Sequence, residues 1–175
     1  MSDRVPGGGR RRMAAGAKLM GRRTLRRWFE STPMRIFVIS PLCVIGFELV
    51  RHGGALRFVP WGIFLLVWGY LQYRLSGNFR RRRGGGGPGI TVPPERIVTD
   101  GPYRHVRNPM YLGHLIVLLG LAVTFWSWFG IALFSVNAAW FHRRVLADEA
   151  RLRALFGAEY ADYQARVKRW IPGVL

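Results

Sequence analysis

Residues 110–141 read MYLGHLIVLLGLAVTFWSWFGIALFSVNAAWF, a run without one formally charged side chain. This stretch decides the fold class. One straight helix of that length would extend about 48 Å at 1.5 Å per residue. A bilayer's hydrocarbon core is about 30 Å thick and takes about 20 helical residues, so the run has to fold back on itself. Thr124-Phe-Trp-Ser-Trp-Phe-Gly130 supplies the turn, with aromatic rings suited to a membrane interface. Two spans are therefore expected, 111–123 and 129–141.

Toward the N-terminus lie two more apolar runs, 34–50 and 58–73. The first is short and contains Pro41 and, near its end, Glu48, which is expected to be an interfacial carboxylate. The second carries Pro60 in its first turn, where a missing N–H costs nothing. The connector from Arg51 to Arg57 is short, which makes these two an antiparallel hairpin. The expected class is an all-α integral membrane bundle with about four transmembrane helices and a cytosolic C-terminal helical segment.

Charge tests that topology. Of 27 basic residues, 25 fall outside the connector of the first hairpin: at or before the start of the first run, between the second and third, or after Phe141. All of these belong to one side, which the positive-inside rule makes cytosolic, together with both termini. Half of the 175 residues are hydrophobic although the net charge is +18. Basic charge alone would also suit nucleic acid, but here the arginines bracket apolar runs, so no nucleic-acid partner is expected. Cys43 is the only cysteine and no disulfide framework exists. No cleavable leader is expected, because the first apolar run begins too far in.

The remaining segments follow from composition. Residues 1–32 form a basic, partly disordered tail, with a possible interfacial helix over 13–29 where Leu19, Met20, Leu25, Trp28 and Phe29 alternate with arginines. Residues 33–175 form the membrane domain, with spans over 34–50, 58–73, 111–123 and 129–141 and a tail over 142–175. Residues 84–89 are a glycine linker, since the strand, helix and Lys-Ser/Thr of a nucleotide loop are missing. The segment 90–98, with Pro93-Pro94, is extended. After Phe141 a polar helix is expected over 143–155, placing Val145, Glu149, Leu152 and Phe156 on one face. Gly157 ends it, a short helix over 159–167 carries Tyr160 and Tyr163, and Trp170-Ile171-Pro172 closes the chain.

Polar groups converge on the cytosolic mouth of the last hairpin. Gly101-Pro-Tyr-Arg-His-Val-Arg-Asn-Pro-Met-Tyr-Leu-Gly113 enters the third span and offers aromatics, an amide and backbone donors. Arg144 to Glu149 leaves the fourth and offers an arginine and two carboxylates. Antiparallel geometry puts these side by side. No Cys/His set has metal-ligand spacing, so no metal is expected, and no nucleophile with a paired base is visible. The residues support binding of a polar or charged cofactor beside lipid and leave its identity open. Plainer readings stand beside these: Arg144–Asp148 as an i,i+4 surface pair, Asn108-Pro109 as a helix start, Arg107 snorkelling to phosphates, and His114, Tyr160 and Tyr163 as packing residues.

Gly101-Pro-Tyr-Arg-x-Val-Arg-x-Pro-x-Tyr-x-Gly113, then the apolar hairpin, then Asp148-Glu149-x-x-Leu-x-x-x-Phe-Gly157-x-x-Tyr160-x-x-Tyr163 and Ile171-Pro172, resembles the isoprenylcysteine carboxyl methyltransferase and phospholipid methyltransferase superfamily. The likeness covers about residues 90–172. It implies an S-adenosyl-L-methionine-dependent membrane methyltransferase acting on a lipid or lipid-like acceptor, a phospholipid amine or an isoprenoid carboxylate. Its cofactor pocket would use Ile97, Val98, Tyr103, His105, Asn108, Pro109, Met110, Tyr111, Asp148 and Glu149. Arg144 would meet the acceptor's polar group, and Arg144 and Glu149 carry the catalytic assignment. The sequence departs from the carboxyl methyltransferase pattern at Asn108, where His is usual, and Asp148 stands where Glu is usual, which leaves Glu149 a rival for the cofactor contact.

That chemistry suits the residues. The donor is cationic, so carboxylates and aromatic faces hold it. Methyl transfer is an in-line displacement in which positioning contributes at most about 7–11 kcal/mol. A carboxylate acceptor needs little acid–base help, whereas an amine must lose a proton, which Glu149 or His105 would take. Two alternatives remain: a membrane reductase of similar helical core using NADPH, and a non-enzymatic membrane scaffold.

Overall fold

The computed structural model describes residues 31–85 and 94–171. The expected interfacial helix over 13–29, most of the glycine linker, Pro93 and Pro172 lie outside the described residues. Four helices form the bundle: α1 (Thr32–Arg51), α2 (Gly62–Gly84), α3 (Pro109–Thr124) and α4 (Trp128–Arg166). The architecture is the expected all-α membrane bundle. Among the described residues, α1 is the helix long and apolar enough to cross a bilayer by length and composition, and α3 is a shorter apolar helix.

The bundle is built inside out. On α2 the buried residues are Gly62, Gly69, Ser76 and Gly84, while Phe64, Trp68 and Leu75 are exposed. On α1 Ser40 and Glu48 are buried while Leu42 and Val50 are exposed. A water-soluble domain does not leave such apolar area bare. Lipid solvates it at no cost, and helices then associate through small residues that let their backbones approach.

That approach is closest between α2 and α3. A Cβ on Gly69 would lie 2.7 Å from the Gly113 carbonyl oxygen, and a Cβ on Gly113 would lie 2.7 Å from the Gly69 carbonyl oxygen. One on Gly120 would meet the Leu66 backbone nitrogen at 2.9 Å. Gly62 and Gly69, like Gly113 and Gly120, are seven positions apart, the repeat that keeps one seam of a helix facing a partner. His114 is fully buried on this seam, among the rings of Phe37, Tyr73 and Phe141.

Several expectations are corrected. The second helix starts at Gly62, not at residue 58, because the Val59 N–H turns to the Thr124 carbonyl at 2.7 Å. It also runs past Tyr73 to Gly84, so Arg74 and Arg80–Arg83 belong to a helical extension. The polar helix expected from residue 143 is no separate element: α4 continues from Trp128 through it. Gly157, at φ +54°, kinks α4 before the helix resumes to Arg166. α1 winds as a π-helix over Arg35–Ile39, directly before Pro41. Proline donates no N–H, and a π-turn is one way a helix absorbs such an interruption.

Glu48, in the last turn of α1, is enclosed by the bundle and not exposed there. Its side chain is 1% exposed; Ser127 Oγ donates to Oε1, and His52 Nδ1 lies 3.2 Å from Oε2. The same Ser127 oxygen caps α4 by accepting from the Gly130 N–H at 3.1 Å. A buried carboxylate needs partners, and the turn between α3 and α4 brings one to it. This cluster closes the end of the bundle remote from the 101–108 loop.

Candidate cofactor and acceptor site

At the other end, the loop before α3 and the polar half of α4 enclose one cavity. Gly101 opens the loop at φ +56°, and a Cβ there would sit 2.6 Å from the Phe79 ring, so both backbone and space require glycine. Residues Gly101–Arg104 make a 3-10 turn that buries Tyr103. Its hydroxyl donates to the Ser76 carbonyl of α2 (3.4 Å), and its own carbonyl accepts from the Tyr163 hydroxyl of α4 (2.7 Å). Asn108 precedes α3 and Pro109 begins it, as a chain without an N–H at the first turn favours.

The cavity opens to the surface, and about 830 Å³ of unfilled space lies within it when its mouth and the adjoining solvent are included. Ile97, Val98, Met110 and Leu152 give it apolar walls, and Tyr103, Tyr111, Tyr160 and Tyr163 give it rings. Asn108, Asp148, Glu149, Arg80, Arg107 and Arg151 bring polar groups. Thus Ile97, Val98, Tyr103, Asn108, Pro109, Met110, Tyr111, Asp148 and Glu149 meet around one space. His105 does not line it and is exposed. Arg144 lies behind the wall: its Nε donates to the Tyr111 hydroxyl (3.1 Å), which donates to Asp148 Oδ2 (2.7 Å). Arg144 and Asp148 are themselves 3.9 Å apart, so the tyrosine is the tighter link between them.

Glu149 has a different environment. Arg107 reaches it through Nε (3.1 Å) and a terminal nitrogen (3.3 Å), and Arg169 through Nε and a terminal nitrogen at 2.9–3.2 Å. Asn108 and Gln164 amides add bonds of 3.3 and 3.4 Å. Burial alone would raise its carboxyl pKa, but the hydrogen bonds and charge of Arg169 and Arg107 outweigh it and hold the group below its ordinary value. Arg107 therefore does not snorkel. It is buried against Glu149 and also donates to the Gln164 (2.9 Å) and Val167 (2.6 Å) carbonyls, satisfying acceptors at the end of α4. With the Arg107 N–H on the Lys168 carbonyl (2.9 Å), this clamps the chain after α4 onto the 101–108 loop.

Burial, ahead of any charge, pushes the Tyr103, Tyr160 and Tyr163 phenols above their ordinary range, so they stay protonated donors. Tyr160 and Tyr163 pack with Val167, Ile97, Leu152 and Phe156, so they are both core and cavity wall. Among the described residues, no three His, Cys, Asp or Glu side chains gather as metal ligands. Arg107 and Arg169 were not legible as partners of Glu149. They lie 42 and 20 positions from it, with no periodic signal.

The described cavity suits S-adenosylmethionine by the chemistry of its lining. Asp148 and the tyrosine rings complement a cation, the arginines complement a carboxylate, and the apolar side chains can cover an adenine face.

Comparison with known proteins adds a family. The phospholipid methyltransferase model matches residues 50–159. A protein-S-isoprenylcysteine O-methyltransferase of Schizosaccharomyces pombe is 38% identical over 77 residues, covering 43% of this chain and 33% of its own. Protein-S-isoprenylcysteine O-methyltransferase B of Arabidopsis thaliana is 33% identical over 81 residues, 45% of this chain and 41% of its own. Protein-S-isoprenylcysteine O-methyltransferase of Dictyostelium discoideum is 32% identical over 79 residues, 45% of this chain and 33% of its own. The chain thus spans about a third to two fifths of the length of these relatives.

Proposed function

Because the chain belongs to the phospholipid methyltransferase family, we propose that it is a multi-pass membrane enzyme that methylates a lipid-like acceptor, using S-adenosylmethionine bound at the cytosolic face. What supports the topology is the charge pattern of the sequence: the basic residues of the α2 extension, the 101–108 loop and the end of α4 are those that the positive-inside rule assigns to the cytosolic side. The cofactor reading is carried by one observation, the cavity where the loop ahead of α3 meets Asp148 and Tyr111.

When bound, S-adenosylmethionine supplies an electrophilic methyl group. The chain's residues position and exclude. Asp148, with one oxygen held by Tyr111, presents negative charge to the cavity. Tyr103, Tyr160 and Tyr163 exclude water from the inner wall. Arg144, fixed through Tyr111, stands at the edge where an acceptor's polar head arrives from the bilayer.

The acceptor we favour is an isoprenoid carboxylate. Such a group needs no base, and Glu149, held as a carboxylate by two arginines, is a poor one. The relatives' names point the same way. A phospholipid amine is the second reading, supported by the family model and by Asn108-Pro109-Met110-Tyr111.

Purified protein in detergent is expected to bind S-adenosylmethionine by calorimetry and, with labelled donor and a membrane lipid extract, to label a lipid-soluble product. Binding of reduced nicotinamide alone would favour the reductase; binding of neither would favour a scaffold without chemistry.

A further inference from the structure

Two guanidinium groups from opposite ends of the sequence converge on one indole. Arg35, in the first turns of α1, places its guanidinium carbon 4.9 Å from the centroid of the Trp140 ring. Arg144, on α4, places its own at 5.7 Å from the same centroid. The ring's face attracts each guanidinium, yet bringing two like charges to one ring opposes that gain. Asp148, 3.9 Å from Arg144 and already bonded to Tyr111, is the acid within ion-pair distance of Arg144; Arg35 has no such acid among the described residues. Nor, among the described residues, does Arg35's side chain or a terminal nitrogen of Arg144 donate to a protein acceptor within hydrogen-bond reach. The pair carries surplus positive charge and unused donors aimed at one edge of the bundle.

The flanks of this site suit an amphiphile. One turn of α4 before Trp140 is Val136, 68% exposed, and two turns along α1 from Arg35 is Leu42, 65% exposed. On each helix a basic side chain thus has bare apolar side chains within about two turns of it. Through Tyr111, whose hydroxyl accepts from Arg144 and whose ring lines the cavity, the site also adjoins the cofactor space.

We propose that Arg35, with Arg144 and Trp140, forms a cradle for the anionic head of the lipid acceptor, and that Arg35 is the residue that selects an anionic head over a neutral one. The inference rests on the methyltransferase reading only for calling this lipid an acceptor. The shared chemistry is a carboxylate or phosphate on an apolar tail, bound by two guanidiniums.

The test uses full-length protein in dodecyl maltoside and two matched ligand pairs, followed by native mass spectrometry. N-acetyl-S-farnesylcysteine is compared with its methyl ester, and dihexanoylphosphatidate with dihexanoylglycerol. Wild type is expected to bind at least one anionic member about tenfold more tightly than its neutral partner. Arg35→Ala should remove most of that preference, Arg35→Lys should keep part of it, and affinity for each neutral partner should be unchanged. Discrimination confined to the farnesyl pair identifies a carboxylate acceptor; confined to the phosphatidate pair, a phospholipid. An anion preference that is absent in wild type, or unchanged in Arg35→Ala, overturns the cradle. S-adenosylmethionine binding by the same samples is read separately. Its absence beside intact anion discrimination would sink the methyltransferase reading and leave the cradle standing.

Discussion

Asp148 and Glu149 are neighbours on α4, yet one is built into the architecture and the other is left open to the cavity. Consecutive helical residues point about 100° apart, and here that rotation separates two environments. Glu149 turns toward Arg107, Asn108, Gln164 and Arg169, is 4% exposed, and holds the chain after α4 against the loop before α3. Asp148, its side chain 23% exposed, spends one hydrogen bond on Tyr111 and faces the cavity with the rest. A carboxylate with every lone pair engaged is a fastener. One with lone pairs to spare, beside aromatic rings, is free to receive a cation. Sequence spacing alone made the two rivals for one role; both line the cavity, and the donor count around each oxygen is our ground for proposing Asp148 as the cofactor's carboxylate.

Truncating each in turn tests that separation. Glu149→Ala would leave Arg107 buried without its counter-charge, and removing one partner of a buried pair costs about 3–5 kcal/mol. We expect a large fall in the thermal midpoint of the detergent-solubilised protein, and protease cleavage near residue 168 as the clamp opens. Glu149→Gln, which keeps the shape and some acceptors, should fall less. Were Glu149→Ala to denature like wild type while losing cofactor affinity, the roles of the two acids would be exchanged.

Asp148→Ala should do the opposite. Asp148 is partly exposed and its loss leaves Tyr111 bonded to Arg144, so the denaturation midpoint should scarcely move. Affinity for S-adenosylmethionine should weaken on the order of tenfold, about 1.4 kcal/mol, measured by calorimetry. A midpoint drop matching that of Glu149→Ala would mean that Asp148 is a second fastener.

The bundle was legible where composition speaks for itself. The uncharged run 110–141 required a reversal, and Ser127 caps the helix that follows it. The glycines at 62, 69, 113 and 120 held a further signal: their seven-residue spacing marks the seam on which α2 and α3 touch. Most of the cavity lining was also legible, because Tyr103 to Tyr111 and Asp148 lie in two short stretches that the hairpin brings together. What sequence spacing could not reveal is long-range pairing. Glu48 meets Ser127 from 79 positions away, Glu149 meets Arg107 from 42, and Arg35 shares an indole with Arg144. Each pairing is set by how helices rotate against one another, and side-chain type at a chain position carries little of that information. Arg107 looked like a snorkelling residue because arginines beside an apolar run usually are. Only the returning chain, with its free carbonyls at Gln164 and Val167, turns it inward.

The smallest expected effect is the most selective probe of the comparison. The Glu149 carboxyl is held below its ordinary value of 4.5 by Arg169 and Arg107 against the opposing pull of burial. A carboxyl whose folded pKa is depressed adds stability that is present in full above its unfolded pKa and is lost as pH falls through the folded one. The margin of wild type over Glu149→Gln in chemical denaturation should therefore be flat from neutrality to about pH 5, where a carboxylate is ionised in both states. It should then shrink steadily below pH 4.5. A margin for Glu149→Gln that stays constant into acid would mean that the clamp holds by hydrogen-bond geometry and not by charge. Arg107 would then be replaceable by a neutral donor without loss.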